Sequence, residues 1–139
     1  MSEAKINSAL VQATIDAALG VPCVYENEPP YTPQQGVRWM RCHNLPAGTD
    51  TASLGIGGLD EHLGLLQLDF NDAPGAGVAW LLGRADAVRS FFVAGRRFEY
   101  DGQVVVIRRS DRSPIRPVDG WSRVSVSVFY SSHSTRPEV

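Results

Sequence analysis

The stretch Arg123-Val124-Ser125-Val126-Ser127-Val128-Phe129-Tyr130 sets Val124, Val126, Val128 and Tyr130 at one parity and Arg123, Ser125, Ser127 and Phe129 at the other. Successive side chains of an extended chain point to opposite faces, so this stretch reads as a half-buried strand with its valine side on a core. The same alternation recurs in His62 to Asn71, where Leu66, Leu68 and Phe70 oppose Gln67 and Asp69. It returns in Val37 to His43, with Val37, Trp39 and Arg41 against Arg38, Met40 and Cys42. Pro22 to Glu26 is short and β-like. Between Arg97–Tyr100 and Gln103–Arg109 lies Asp101-Gly102, a dipeptide that favours the positive backbone angles of a two-residue hairpin turn.

Two segments follow a different period. Ile6, Leu10, Ala13 and Ala17 form the apolar stripe of a first helix, which Ser2 is placed to cap and which Gly20 and Pro22 end. Val78, Leu81, Ala85, Val88 and Phe92 recur at spacings of three and four, as one face of a second helix stopped at Gly95. Strand runs interrupted by only two helices imply an α+β fold rather than repeating βαβ units. The expected architecture is a single mixed or antiparallel β-sheet with two helices packed on one face and a β-hairpin near residues 97–109. Residues 1–139 read as one domain. Pro46, Gly48, Gly55, Gly57 and Gly58 make residues 44–60 a Gly-rich loop or loose hairpin extension, with a short strand at 51–54, and the most mobile element. Residues 27–36 read as a loop, and the polar residues 132–139 as a frayed tail.

The chain has 139 residues, 43% apolar and 20% charged, which excludes a disordered tail, a collagen-like repeat and a disulfide scaffold. Cys23 and Cys42 stand 19 residues apart without a second pair, so no zinc module or disulfide framework is implied, and a reduced cytoplasmic setting is expected. Polar residues interrupt the N-terminal apolar positions, against a signal peptide. The longest weakly polar run, Gly75 to Gly83, is nine residues, half of what a membrane helix needs. Charge is unevenly divided. Residues 1–83 hold Lys5, Arg38 and Arg41 against nine acids, a balance of −6, whereas residues 84–139 hold ten arginines against six acids, a balance of +4. Opposed patches on one subunit could suit head-to-tail contact between copies, but sequence halves are not surface halves, and the plainer reading is that both segments contribute strands to one sheet and intermingle their charges on its solvated side.

Signals of chemistry are weak. Gly75-Ala76-Gly77 resembles a dinucleotide-binding turn, but Trp80 stands where the third glycine is needed for close helix approach, so a plain turn is the better reading. Asp60-Glu61-His62 is the tightest group of potential metal ligands, yet neighbours on a strand diverge and cannot share one ion; a solvated loop end accounts for it. Cys42-His43 is no nucleophile pair by adjacency alone. No Gly-x-Ser-x-Gly elbow or phosphate-binding lysine loop occurs. Arg96-Arg97, Arg108-Arg109, Arg112 and Arg116 near Phe98 and Tyr100 admit a nucleic-acid module, against which stands the overall acidic balance.

The phrases Leu54-Gly55, Gly64-Leu65-Leu66-Gln67-Leu68-Asp69-Phe70, Pro74-Gly75-Ala76-Gly77, Ala85-Asp86-Ala87-Val88, Phe91-Phe92 and Gly102-Gln103-Val104-Val105-Val106-Ile107 resemble the tail terminator proteins of long-tailed phages and prophages, also called tail completion or minor tail U-like proteins. The resemblance spans most of residues 5–131. It implies a non-enzymatic virion-assembly protein without metal or cofactor. Its subunits would form a ring, a homohexamer, on the head-proximal end of the tail tube, stop tube polymerisation and offer the docking surface for the head. Expected partners are further copies of the chain, the tail tube protein and the head–tail connector, with neither membrane nor nucleic acid. The expected location is the host cytoplasm during assembly and then the virion tail. Arg41, Gln67 and Asp69, on the polar side of predicted strands, together with Gly55, Gly57 and Gly58, are the candidate oligomer or tube interface, where charge reversal should leave the fold intact. A small nucleic-acid-binding α+β module, or another neck or head–tail joining protein, is the alternative.

Overall fold

A computed structural model describes residues 2–29, 31–55 and 57–135. The elements run α1 (Ser2–Asp16), β1 (Cys23–Val24), β2 (Trp39–Thr51), β3 (Leu59–Asp72), α2 (Ala79–Phe91), β4 (Arg97–Tyr100), β5 (Gln103–Arg112), β6 (Arg116–Val118) and β7 (Trp121–Thr135). They build one sheet in the order β1-β2-β3-β7-β5-β4, with β6 pairing β7 off this path. Only the short β1–β2 pair is parallel; the other pairs are antiparallel. The α+β class, the single sheet and the two helices on one of its faces are as the alternation and the helical spacing imply.

The strand read first is central. Val124, Val126 and Val128 of β7 are fully buried, each opposite Phe70, Leu68 and Leu66 of β3. Over this row lie Ile6, Ala9, Leu10 and Ala13 of α1 and Leu81, Ala85 and Val88 of α2, in one continuous core. Each helix presents apolar residues three and four apart, a stripe wide enough to cover a pleated surface. The cap assigned to Ser2 concerns a side chain outside the described set. Trp80, at the position of the missing glycine, packs edge-on against Phe70 with centroids 6.2 Å apart, so the turn before α2 is filled by an indole.

Three expectations require correction. Of the two readings of residues 44–60, the hairpin extension is the one found, in place of the loop with a short strand at 51–54: β2 pairs β3 from Trp39↔Asn71 to Thr51↔Asp60 with one shift of register. Pro46 and Gly48 are accommodated because the register shifts between them in a bulge, and because β1 covers only Met40 and Arg41 of β2, leaving Pro46 on an edge where no outer ladder is needed. Asp60-Glu61-His62 lies within β3 rather than at a solvated loop end. Residues 132–135 are not frayed either. Ser132 is buried, pairs with Val105 and lies opposite His62, since β7 continues along β3 to Thr135; residues 136–139 lie outside the described residues. β2, β3 and β7 thus continue together beyond the core row, through residues 45–51, 59–65 and 129–135, as an arm that β5 flanks only as far as Ser132.

Candidate assembly surface

The face of the sheet turned away from the helices carries the sequence-predicted residues at one end. Arg41 lies opposite Asp69, Gln67 opposite His43, and Ser125 opposite Asp69 on the other side. Asp69 is only 3% exposed, so its polar parity does not make it a surface residue. Ser125 Oγ and Gln67 Nε2 both donate to Asp69 Oδ1, at 2.6 and 3.0 Å, and His43 Nε2 lies 3.4 Å from Oδ2. The burial comes from the segment before β6. Ser113 N donates to Ser125 O and Ser113 Oγ accepts from Ser125 N, and Arg116 Nη2 donates to Ser125 Oγ, which closes a polar lid over the carboxylate.

Cations surround that lid. Arg123 Nε donates to Asn71 Oδ1 at 2.7 Å, and Asn71 is itself fully buried. Burial lowers the guanidinium pKa of Arg123; Asp69 opposes this, and Arg41 and Arg116 reinforce it. Arg41 turns from Asp69 toward the Trp39 ring, 5.5 Å from the centroid, and its Nε is buried without a hydrogen-bond partner among the described residues. Tyr31, Trp39 and Trp121 continue this zone as an aromatic run with centroids 5.3 and 6.1 Å apart. Arg41, Gln67 and Asp69 are therefore brought together, but as an internally bonded cluster. Gly55, Gly57 and Gly58 are far from it, at the hairpin tip, separated by nine strand residues from Asp69 to Asp60, about 30 Å at the usual rise.

Between the cluster and the tip, the same face is apolar. Leu45, Leu65, Phe129 and Arg109 stand in register across four strands. Leu45 is 45% exposed; Leu63, Leu65 and Phe129 are half-buried. Leu63, Leu65 and Phe129 line a groove of about 540 Å³ edged by Arg108 and Arg109, the latter guanidinium 3.8 Å over the Phe129 ring. These residues escaped the sequence reading because polar parity was assigned from residues 67 and 69 alone. The run Leu63-Gly64-Leu65-Leu66, apolar on both parities, was the available signal.

Cys42 faces the core while His43 faces the opposite side beside Asp69. Burial raises the Cys23 thiol to about 11 and the Cys42 thiol to about 12, which keeps both in the unreactive protonated form. Among the described residues no group of three or more His, Cys, Asp or Glu is placed to hold a metal ion, and no helix is long and apolar enough to cross a membrane. Arg96 covers Phe91 and Phe98 at 4.0 and 5.0 Å, whereas Tyr100 is exposed.

A solved chain of matching extent shares this fold: 20% identical, it superposes with a TM-score of 0.76 over 99% of both chains. No curated protein matches the chain. The family model described as phage tail terminator protein matches residues 5–130, from the first helix to the buried Tyr130 of β7. With nearly all of the sheet and both helices inside that match, the chain belongs to the phage tail terminator protein family, a structural component of the phage tail.

Proposed function

We propose that the chain is a non-catalytic, single-domain tail terminator. Its copies form a closed ring, a hexamer, on the head-proximal end of the tail tube, stop addition of tube subunits and present the surface on which the head–tail connector docks. Membership in the terminator family across residues 5–130 carries this reading. The charge division, −6 over residues 1–83 and +4 over 84–139, supports it, because a ring places two different patches of one subunit against each other. Assembly takes place in the host cytoplasm, and the finished ring remains in the tail of a phage or prophage. Nucleic-acid binding fits less well, since the overall balance of the chain is acidic and Arg96 already lies over Phe91 and Phe98.

The decisive experiment deletes the gene in its phage and scores tail length by electron microscopy. Overlong tails without heads, restored to normal length by the chain supplied in trans, are expected. Tails of normal length joined to heads in the deletion strain would refute the reading.

A further inference from the structure

The arm formed by β2, β3 and the end of β7 has an unusual charge pattern. Asp50 and Glu61 face each other across β2 and β3, a like-charge pair directly opposed, and residues 47–62 contain no lysine or arginine. Such a pair weakens an isolated ladder. Glu61 Oε2 lies 3.2 Å from His133 Nε2, while Asp50 is exposed and forms no ion pair among the described residues. Leu54, at the tip of the same arm, is 91% exposed, the extreme among the exposed large apolar side chains.

The groove described above has the complementary composition. Leu65 and Phe129 form its floor, and Arg108, exposed at the β5 bulge and without an ion pair among the described residues, stands with Arg109 at its edge. The arm cannot fold onto this groove in its own subunit. Both belong to one continuous ladder, and reversing the arm would break the pairs from Gly48↔Leu63 to Thr51↔Asp60. An acidic arm with an apolar tip and a basic-edged apolar groove therefore cannot meet within one subunit but match between two copies.

We propose that the hairpin arm of one copy seats in the Leu65–Phe129 groove of the next, with Leu54 on the apolar floor and Asp50 beside Arg108. Tip and groove are different patches, so the contact is heterologous and repeats in one direction until the rotation closes. This assignment rests on the ring reading above and names the surfaces that make the ring.

The test uses charge exchange in the full chain. Asp50→Arg, Arg108→Glu and the combined variant are compared with the unaltered protein by light scattering over a concentration series, with and without purified tail tubes, beside a thermal melt of each. Each single variant is expected to keep its melting temperature and to self-associate at least about tenfold more weakly, and the combined variant to recover most of that loss. Single variants that associate as the unaltered protein does, or a combined variant no better than either single one, would overturn the contact while leaving the ring intact. Normal self-association with loss of tube binding in Asp50→Arg would instead give the arm to the tube protein. An unaltered chain that stays monomeric even on tubes would remove the ring itself.

Discussion

Gly64 shows how closely single residues are constrained. A Cβ there would meet Tyr130 Oη at 2.5 Å, Tyr130 Cζ at 2.7 Å and the Leu45 carbonyl oxygen at 3.0 Å. Tyr130 crosses this glycine to donate its hydroxyl to Asn44 Oδ1 at 2.6 Å, a bond that ties β7 to β2 across β3. Gly64→Ala should therefore cost about 1–3 kcal/mol in denaturant unfolding, the range for overpacking. Tyr130→Phe should relieve only part of it, because the ring carbon is met as well. An unchanged midpoint would show that the ring moves aside freely. Asp69 reverses an expectation. Its parity suggested a replaceable surface charge, yet it is buried beneath Ser113, Ser125 and Arg116, and Asp69→Lys should destabilise by about 3–5 kcal/mol. Asp69→Asn, which keeps an acceptor for Ser125 and Gln67, should cost less than about 2 kcal/mol. Equal melts for the two variants would contradict the buried carboxylate. The thiols give a pH prediction. Cys23 and Cys42 are raised from 9.0 to about 11 and about 12, so folding favours the protonated form. Their contribution is intact below pH 9 and is lost as pH rises from there toward 11 and beyond. Alkylation of the native protein near pH 8 should run about a hundredfold slower than in denaturant, followed by mass spectrometry; equal rates would show open thiols.

Among the elements, the β4–β5 hairpin is the one whose geometry the residues nearly dictate. Asp101 and Gly102 both take positive φ, 47° and 82°, the pair of angles that a two-residue turn requires and that Asp-Gly tolerates. The β2–β3 hairpin is the contrary case. Local rules see a proline and four glycines from Pro46 to Gly58 and infer a loop, because an isolated strand with those residues would not hold. Pairing with twelve residues of β3, itself held by fourteen register partners on β7, supplies what propensity withholds. Hydrogen exchange separates the two readings. Amides of residues 45–51 that face β3 should be protected, though less than Val124 to Val128, which sit between β3 and β5 or β6 beneath both helices. Unprotected exchange throughout 45–51 would return the segment to a loop.

For the whole molecule, the electrostatic part of assembly sets a salt dependence. Exposed opposite charges are screened as the Debye length falls from about 10 Å at 0.1 M salt to about 3 Å at 1 M. Self-association of the chain, measured by light scattering on tube ends or free, should weaken across that range while the melting temperature of the subunit changes little. Association that strengthens steadily with salt would assign the contact to apolar surface alone.

The sequence by itself determined the α+β class, both helices, the core sides of β3 and β7 and the β4–β5 turn, because periodicity and turn chemistry are local properties that a packed sheet only reinforces. The family, too, was legible in the glycine and apolar phrases from Leu54 to Ile107. Tertiary structure alone decided what happens on the far face. Whether Asp69 is exposed depends on a segment 44 residues later folding across it, and whether Leu65 and Phe129 make a groove depends on β2, β3, β7 and β5 meeting in one register. Alternation tells which residues share a face; what covers that face is set by contacts between distant parts of the chain, which no local pattern encodes.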